Sequence, residues 1–232
     1  ELATRRIVVS TGGPLVEAAR AADAPVIGLP GILQPRSAVG YMFVAAAQVA
    51  AVVGACPDLA AEVEEAATFL SIHIEDLRAQ AAEVVSQMEG GLPVVYGADL
   101  TIPVARRWKT QINENAKLPA FFSELPEADH NEICSWVGVG AAGESITVVM
   151  LRDADQNQRE QRRFELTAEK IVAGGASVVE VVTRGSSRVA RMLWGTMLGD
   201  LVSVGLAEAH GVDPVEVEAI EQFKVAMGTP RR

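Results

Sequence analysis

Short apolar runs alternate with helical periodicity at the start of the chain. Residues 6–11 and 25–30 are apolar runs bounded by Gly and Pro, and the apolar positions of residues 15–22 follow a helical period. A strand, a helix and a second strand in this order favour a parallel sheet with a crossover helix. We therefore predict half of an α/β unit in this part of the chain.

Helical patterns without strands occupy the next part of the chain. Residues 37–54 are almost continuously apolar, which is typical of a buried helix. Residues 58–88 carry a line of acidic side chains that indicates a solvated face, over either one long helix or two. Gly and Pro at 90–93 then break the pattern, and we place the main domain boundary there.

The α/β pattern starts again after this boundary. Apolar runs predict strands at 93–97, 146–151 and 178–182, with a short strand or extended segment at 120–122. Helical periodicity predicts helices at 101–115, 158–172, 188–210 and 215–227. The predicted fold class is α/β, with parallel sheets flanked by helices. The predicted domains are residues 1–54, 55–90 and 91–232.

Composition agrees with a globular chain. Of the 232 residues, 49% are hydrophobic and 22% are charged, which excludes a disordered protein. The formal net charge of −10 argues against a nucleic-acid-binding surface, although a small phosphorylated ligand needs only a local positive pocket. The sequence shows no leader pattern, and its most apolar helix candidate, residues 41–53, is too short to span a bilayer, so we expect no membrane association and a cytoplasmic location.

The cysteines and the start of the chain add two expectations. Cys56 and Cys134 lie far apart and match no metal-binding spacing, so reduced thiols and no metal site are expected. The chain begins at Glu1 without an initiator Met and enters a predicted strand almost at once. We therefore expect the first domain to be incomplete on its N-terminal side.

The densest group of polar side chains follows the predicted strand at 93–97. It includes Lys109 and Asn113 on the predicted helix, together with Thr101, Arg106, Arg107, Gln111, Glu114, Asn115 and Lys117. Asn is unusual in helix interiors, because its side chain competes for backbone hydrogen bonds. The set is suited to an oxygen-rich ligand such as a sugar, but an ordinary solvated helix has the same composition.

A second candidate site is the run Asp129-His130-Asn131-Glu132, which precedes the aromatic Trp136. A carboxylate at the edge of a core is partly desolvated, and a positioned carboxylate is a suitable general base for removing a proton beside a carbonyl. The alternative hypothesis is a loop whose polar residues act as caps. The residues alone leave both hypotheses open.

Two cations complete the candidates. Arg36 follows Gln34 and Pro35 in a loop stiffened by proline, where a fixed guanidinium is suited to a phosphate or to the charge of an enediolate. Lys224 lies on the predicted terminal helix, three residues after Glu221, where an ordinary solvated lysine is the alternative. Neither cation identifies a function by itself.

Several segments together resemble a known family, the bifunctional phosphoglucose/phosphomannose isomerases. Residues 96–101 and 107–120 closely resemble the family's second SIS (sugar isomerase) domain. Residues 10–15 and 34–36 resemble the end of its first SIS domain and the segment that follows. Further landmarks match in the same order at 130–132 and at 213–224. The resemblance covers nearly the whole chain.

The resemblance implies a homodimer of chains with two SIS domains and an active site between the domains. The implied reaction interconverts glucose 6-phosphate or mannose 6-phosphate with fructose 6-phosphate, without a metal or cofactor. Glu132 would move the proton between C1 and C2 through a cis-enediolate, Arg36 would stabilise the enediolate, and Lys224 would assist ring opening or hold the sugar. The residues expected to bind this sugar-phosphate substrate are His130, Asn131, Lys109 and Asn113.

Two departures from the family pattern keep alternatives open. The family's phosphate-binding loop lies early in the first SIS domain, before the part matched by Ile7 and the residues after it. The family's ring-opening histidine has no equivalent between His130 and His210. The alternative is a catalytically degenerate SIS protein that binds a sugar phosphate as a sensor or regulator. An SIS activity on a different sugar phosphate is the third hypothesis.

Overall fold

The computed structural model describes residues 6–228 of the chain. It contains two compact units, which divide between Glu65 and Ala66. The sequence placed the main boundary later, at residues 90–93. The division lies earlier because a helix that precedes residue 90 is buried in the core of the second unit.

The first unit contains a two-stranded parallel sheet. Strand β1 (Val8–Ser10) pairs with strand β2 (Val26–Gly28), and helix α1 (Pro14–Ala21) connects them. Pro14 suits the first position of this helix, because a backbone N–H there has no partner within the helix. The strand–helix–strand order predicted from the sequence is confirmed.

The helical stretches that follow are divided more finely than predicted. Residues 37–54 lie partly in a 3-10 turn (Pro35–Ala38) and partly in helix α2 (Val39–Val52). The acidic stretch forms two helices, α3 (Ala60–Ile72) and α4 (Ile74–Met88), which separate at His73. Of the two alternatives left open by the sequence, two helices is therefore correct.

The second unit is built on a four-stranded parallel sheet with the strand order β4-β3-β5-β6. Its strands are β3 (Leu92–Ala98), β4 (Phe121–Leu125), β5 (Ile146–Arg152) and β6 (Ser177–Val182). Strands of a sheet covered on both faces have continuous apolar runs, which is the pattern that predicted them. The α/β class with parallel sheets flanked by helices is confirmed.

Helices cover both faces of this sheet. The helices after α4 are α5 (Ile102–Asn115), α6 (Ser135–Gly138), α7 (Gln158–Ala173), α8 (Arg188–Ala209) and α9 (Glu218–Met227). Helices α4, α5 and α8 share one core with the sheet, which includes Leu77 and Trp194. Helices α6 and α7 cover the other face, where Trp136 and Phe164 are buried.

Helix α8 is the central helix of the first of these cores. By length and composition it is suited to cross a membrane, but 61% of its apolar stretch is buried inside the protein. Ser187 caps its beginning by accepting the backbone N–H of Ala190 at 3.1 Å, and the helix ends at His210. Its apolar character is therefore explained by packing in the protein core.

The segment between β4 and β5 has more structure than the sequence predicted. It contains the 3-10 turns Glu127–Asp129, Glu132–Cys134 and Gly140–Ser145, together with the short helix α6. The terminal helix α9 begins later than predicted, because Asp213 accepts the N–H of Val215 at 2.8 Å and forms a turn there. The turns after β4 bring polar side chains onto the edge of the sheet.

Candidate active site

Glu132 begins a 3-10 turn that follows the edge strand β4. Its carboxylate contacts the sheet. The hydroxyl of Tyr96 donates to Oε1 over 2.6 Å, and the hydroxyl of Ser123 donates to Oε2. Tyr96 and Ser123 lie opposite each other in the register of β3 and β4. Two neighbouring strands therefore hold the two oxygens of one carboxylate.

Hydrogen bonds within the loop fix the backbone of Glu132. Asn131 accepts the N–H of Glu132 with Oδ1 and donates from Nδ2 to Oε1 of Glu127 at 2.8 Å. The hydroxyl of Ser135 donates to the carbonyl oxygen of Glu132 at 2.7 Å. Asn131 therefore caps the turn, as the loop alternative predicted. Glu132 has a carboxylate with a defined position, which the general-base hypothesis requires.

Tyr96 lies in a strongly apolar environment. Its side chain is fully buried, and this burial raises the pKa of the phenol far above its ordinary value of 10.0. The hydrogen bond to Glu132 and the negative charge of Glu132 raise the pKa further. Tyr96 therefore stays protonated near neutral pH and acts as a donor to the carboxylate.

A cavity of about 640 Å³ lies beside Glu132. Ser123, Glu132 and Ser135 are polar groups in its lining, whereas Phe121 and Trp136 belong to its apolar wall. Small-molecule sites occupy roughly 300–1,000 Å³, so the volume is suited to such a ligand. None of the described residues that line the cavity is Lys or Arg, so these walls offer no cation to an anionic group.

Near the carboxyl ends of the strands, where open α/β sheets usually bind ligands, side chains of the unit form hydrogen bonds within the unit itself. Thr101 donates from Oγ1 to the carbonyl oxygen of Leu151 at 2.7 Å. Arg191 is only 5% exposed and donates from Nε to Oδ1 of Asp153 at 2.7 Å. Glu132, in contrast, contacts the middle of strands β3 and β4.

His130 and Asn131, predicted to bind substrate, lie in the same loop as Glu132. His130 is exposed, and its backbone N–H donates to the carbonyl oxygen of Glu127 at 2.9 Å. The amide of Asn131 is engaged in the cap described above. The structure therefore brings these three predicted residues together in one segment.

Lys109 and Asn113 lie on successive turns of helix α5. Asn113 donates from Nδ2 to the carbonyl oxygen of Leu118 at 2.7 Å, and it lines a separate cavity of about 520 Å³ at the end of α5. The described lining of that cavity also includes Lys117 but not Glu132. The structure therefore does not place Lys109 or Asn113 in the lining of the cavity beside Glu132.

Other members of the polar stretch join helix α5 to helix α8. Arg107 pairs with Asp200, with Nη2 at 2.8 Å from Oδ2. The buried side chain of Asn115 donates to the hydroxyl of Ser203 at 2.8 Å. Part of the polar density that suggested an oxygen-rich ligand therefore stabilises the packing of two helices.

The two predicted cations lie in different units. Lys224 lies on the exposed helix α9, where its Nζ is 2.7 Å from Oε1 of Glu221 and its side chain is 63% exposed. These are the surroundings that the solvated-lysine alternative predicted. Arg36 is half-buried in the 3-10 turn Pro35–Ala38 of the first unit. The catalytic roles of both cations stay predictions.

Tyr96 and Ser123 were not singled out from the sequence. The sequence contained a signal for Tyr96, because it places a hydroxyl in an otherwise apolar strand, and a buried tyrosine hydroxyl usually has a hydrogen-bond partner. Their contact with one carboxylate depends on the register of β3 against β4. That register was not predictable from the pattern of either strand.

Metal-ligating side chains and free thiols are the remaining reactive groups. Within residues 6–228, no group of three or more His, Cys, Asp and Glu side chains is arranged to hold a metal ion. Cys56 and Cys134 are free thiols, and Cys134 is exposed. Cys134 also lines the cavity that contains Glu132.

Comparison with known sequences identifies the relatives of this chain. The family model of the bacterial phospho-glucose isomerase C-terminal SIS domain matches residues 77–227. The bifunctional phosphoglucose/phosphomannose isomerase of Aquifex aeolicus is 34% identical, over 94% of this chain and 66% of its own length. The protein of the same name from Caldicellulosiruptor bescii is 33% identical, over 94% of this chain and 67% of its own length.

Comparison with solved structures supports the same fold. A glucose-6-phosphate isomerase like protein from Thermus thermophilus aligns with 97% of this chain and 79% of its own, with a TM-score of 0.66 and 17% identity. The chain spans about two thirds of the length of the curated relatives it matches. From the family model and these identities, the chain belongs to the bifunctional phosphoglucose/phosphomannose isomerase family, and residues 77–227 match its C-terminal SIS domain.

Proposed function

We propose that the protein is an aldose–ketose isomerase that interconverts glucose 6-phosphate, mannose 6-phosphate or both with fructose 6-phosphate. The relatives from A. aeolicus and C. bescii support the proposal, since both are named as bifunctional phosphoglucose/phosphomannose isomerases. Because these relatives are named as enzymes, the alternative of a sugar-phosphate sensor without turnover is not favoured.

The observation that carries the proposal is the fixed carboxylate of Glu132. Its two oxygens are held by the hydroxyls of Tyr96 and Ser123, and it lies in the wall of a cavity of about 640 Å³. A general base needs a defined position and an approach for the substrate, and this carboxylate has both.

The proposed reaction moves one carbon-bound proton. In the open-chain aldose, Glu132 removes the proton from C2, and the electron pair moves onto the carbonyl oxygen at C1 to give a cis-enediolate. Glu132 then returns the proton to C1, the hydroxyl proton passes from O2 to O1, and C2 becomes the carbonyl carbon. Glu132 is returned to its carboxylate form, so the reaction needs neither a redox cofactor nor a second reactant.

The two cations are proposed to act on charge and on the sugar ring. The Arg36 guanidinium would neutralise the enediolate, since a fixed cation is most effective where charge develops in the reaction. Lys224 would assist ring opening or hold sugar oxygens. Its ion pair with Glu221 is exposed, and exposed pairs are weak, so the ammonium is available to a ligand.

Substrate contacts are proposed for His130, Asn131, Lys109 and Asn113. His130 is the best supported of these, because its side chain is exposed in the loop that carries Glu132. The described lining of the Glu132 cavity offers no cation, so the phosphate would be held by groups from outside that lining.

We further propose that the protein is a homodimer in the cytoplasm. Phe121, at the start of the edge strand β4, is 55% exposed, and Val137, on helix α6, is 86% exposed. Large exposed apolar groups favour contact with another protein surface. A dimer that covered them would also exclude water from the neighbourhood of the base.

The test is an isomerase assay of the whole protein with fructose 6-phosphate, in which glucose 6-phosphate and mannose 6-phosphate are measured separately. Formation of either product supports the proposal, and the ratio of the products gives the epimer preference. A folded protein that binds fructose 6-phosphate in calorimetry but forms neither product would instead support the sensor hypothesis.

A further inference from the structure

We propose that Tyr96 is a positioning residue, which orients the carboxylate of Glu132 for proton transfer through its hydroxyl. The inference rests on the proposed isomerase function. It adds a residue that neither the sequence motifs nor the comparisons assign. The main observation in support of this role is the 2.6 Å hydrogen bond from the Tyr96 hydroxyl to Oε1 of Glu132.

Tyr96 is rigid enough to determine where the carboxylate lies. Its ring is fully buried in the middle of strand β3, among Trp136, Met150 and Phe164. Glu132, in contrast, lies at the start of a short turn and is half-buried. A hydrogen bond between a fixed and a less constrained group positions the less constrained one, so Tyr96 orients Glu132.

Ser123 supplies the second point of attachment, because its hydroxyl donates to Oε2. Two donors from adjacent strands define the plane of the carboxylate as well as its distance from the sheet. A carboxylate accepts about four hydrogen bonds in total, so two donors leave acceptor positions for a proton from carbon. The two hydrogen bonds therefore restrain the carboxylate and still leave it able to accept the substrate proton.

Tyr96 keeps its own proton throughout the reaction. Burial and the neighbouring Glu132 raise the pKa of its phenol, so the group is a donor and not a second base. Charged or titratable groups on the surrounding elements include Glu124, Glu127, Asp129, His130, Cys134 and Arg163. Arg163 of helix α7 lies 3.2 Å from Oδ2 of Asp129, and Asn131 donates to Glu127, so these two carboxylates have partners of their own.

The test compares Tyr96→Phe with the wild-type protein and with Tyr41→Phe, the matching change at an exposed tyrosine of the first unit. Phe fills the same space without the donor. We expect kcat to fall about ten-fold with little change in KM, because orientation acts on the chemical step.

A second readout is independent of turnover. In the wild type and in Tyr96→Phe, the ¹³C signal of the Glu132 side-chain carboxyl is compared by NMR at a single pH. We expect the signal to shift in Tyr96→Phe and in Ser123→Ala, because each change removes a donor to the carboxylate, and to stay in place in Tyr41→Phe. These shifts support the interaction even if the protein proves to have no isomerase activity.

The outcomes separate the two proposals. An unchanged kcat in a folded Tyr96→Phe protein would overturn the role of Tyr96. A loss of kcat that accompanies a lower melting temperature, with the carboxyl signal of Glu132 unchanged, would show a structural role and overturn it as well. Wild-type turnover in Glu132→Gln would instead remove Glu132 as the base, and would leave the measured Tyr96–Glu132 interaction without a catalytic role.

Discussion

The guanidinium of Arg107 lies against the carboxylate of Asp200 with two parallel hydrogen bonds. Nε is 3.0 Å from Oδ1, and Nη2 is 2.8 Å from Oδ2. The side chains are 17% and 33% exposed, so the pair is partly shielded from water. It joins helix α5 to helix α8, and bidentate geometry of this kind fixes the orientation of the two helices as well as their distance.

The first prediction concerns the pH dependence that Asp200 gives to stability. Burial raises the pKa of the Asp200 carboxyl above its ordinary value of 3.8, although Arg107 opposes this effect. The native state therefore binds this proton more tightly than the unfolded chain does. Its contribution to stability is fully present below the unfolded pKa and is lost as pH rises through the higher native pKa.

Urea unfolding of the wild type and of Asp200→Asn between about pH 4 and pH 7 measures this contribution. Asn keeps the shape but does not titrate, so the unfolding free energy of the wild type should fall relative to the variant as pH rises. Glu75→Gln is the control, because it breaks an exposed pair with Arg78, which is worth about 0–1 kcal/mol. A wild-type advantage that stays constant or grows with pH would contradict the prediction.

The second prediction concerns Glu132 as the base. Glu132→Gln keeps the size of the side chain and can still accept from one of the two hydroxyls, but it cannot take up the proton. Turnover of fructose 6-phosphate should fall by about two to four orders of magnitude, with a nearly unchanged melting temperature. Glu144→Gln, at an exposed carboxylate of a neighbouring turn, is the control and should retain turnover. Near wild-type rates in Glu132→Gln would exclude it as the base.

The third prediction concerns Arg36, in the 3-10 turn of the first unit. If its guanidinium stabilises the enediolate, Arg36→Ala should lower kcat by about 10²–10³-fold and change the dissociation constant of fructose 6-phosphate much less. Steady-state kinetics and calorimetry measure the two quantities. Arg20→Ala, at an exposed arginine of helix α1, should affect neither. A rise in KM with unchanged kcat would assign Arg36 to substrate binding.

Strand and helix positions were predictable because burial on both faces leaves a clear apolar signal. The runs that became β3, β5 and β6 are mainly apolar, with Val the most frequent residue, and helix α8 has the composition of a core helix. The start of helix α9 was predicted too early, since the turn at Asp213 depends on a side chain that competes with the helix for a backbone N–H.

The candidate site was predictable only in part. Glu132 stood out because a carboxylate precedes an apolar segment, but its partners Tyr96 and Ser123 belong to strands whose register determines the contact. The polar residues of helix α5 were predicted as a candidate ligand site, but two of them pack against another helix instead. Arg107 and Asn115 bond to side chains of helix α8, about ninety residues later in the chain. Composition alone does not distinguish a ligand-binding side chain from one that bonds to another helix.

The last prediction concerns the close approach of helices α5 and α8. The indole of Trp108 is fully buried and donates from Nε1 to the carbonyl oxygen of Gly195 at 2.7 Å. A Cβ atom at Gly199, one turn later, would lie 2.2 Å from Cδ1 and Nε1 of Trp108. Such a distance is far inside van der Waals contact, and the rigid ring is held by its own hydrogen bond. Glycine at position 199 therefore makes the helix contact possible.

Gly199→Ala should lower the free energy of unfolding by about 1–3 kcal/mol, because overpacking forces the ring or the helices apart. The higher helix propensity of Ala, about 1 kcal/mol, offsets only part of this loss. Gly138→Ala is the matched control, since a Cβ there meets nothing within 4 Å in an exposed turn of helix α6. Urea unfolding compares both variants with the wild type. Equal or greater stability of Gly199→Ala would show that Trp108 moves aside without cost, and the two helices would then not depend on glycine for their contact.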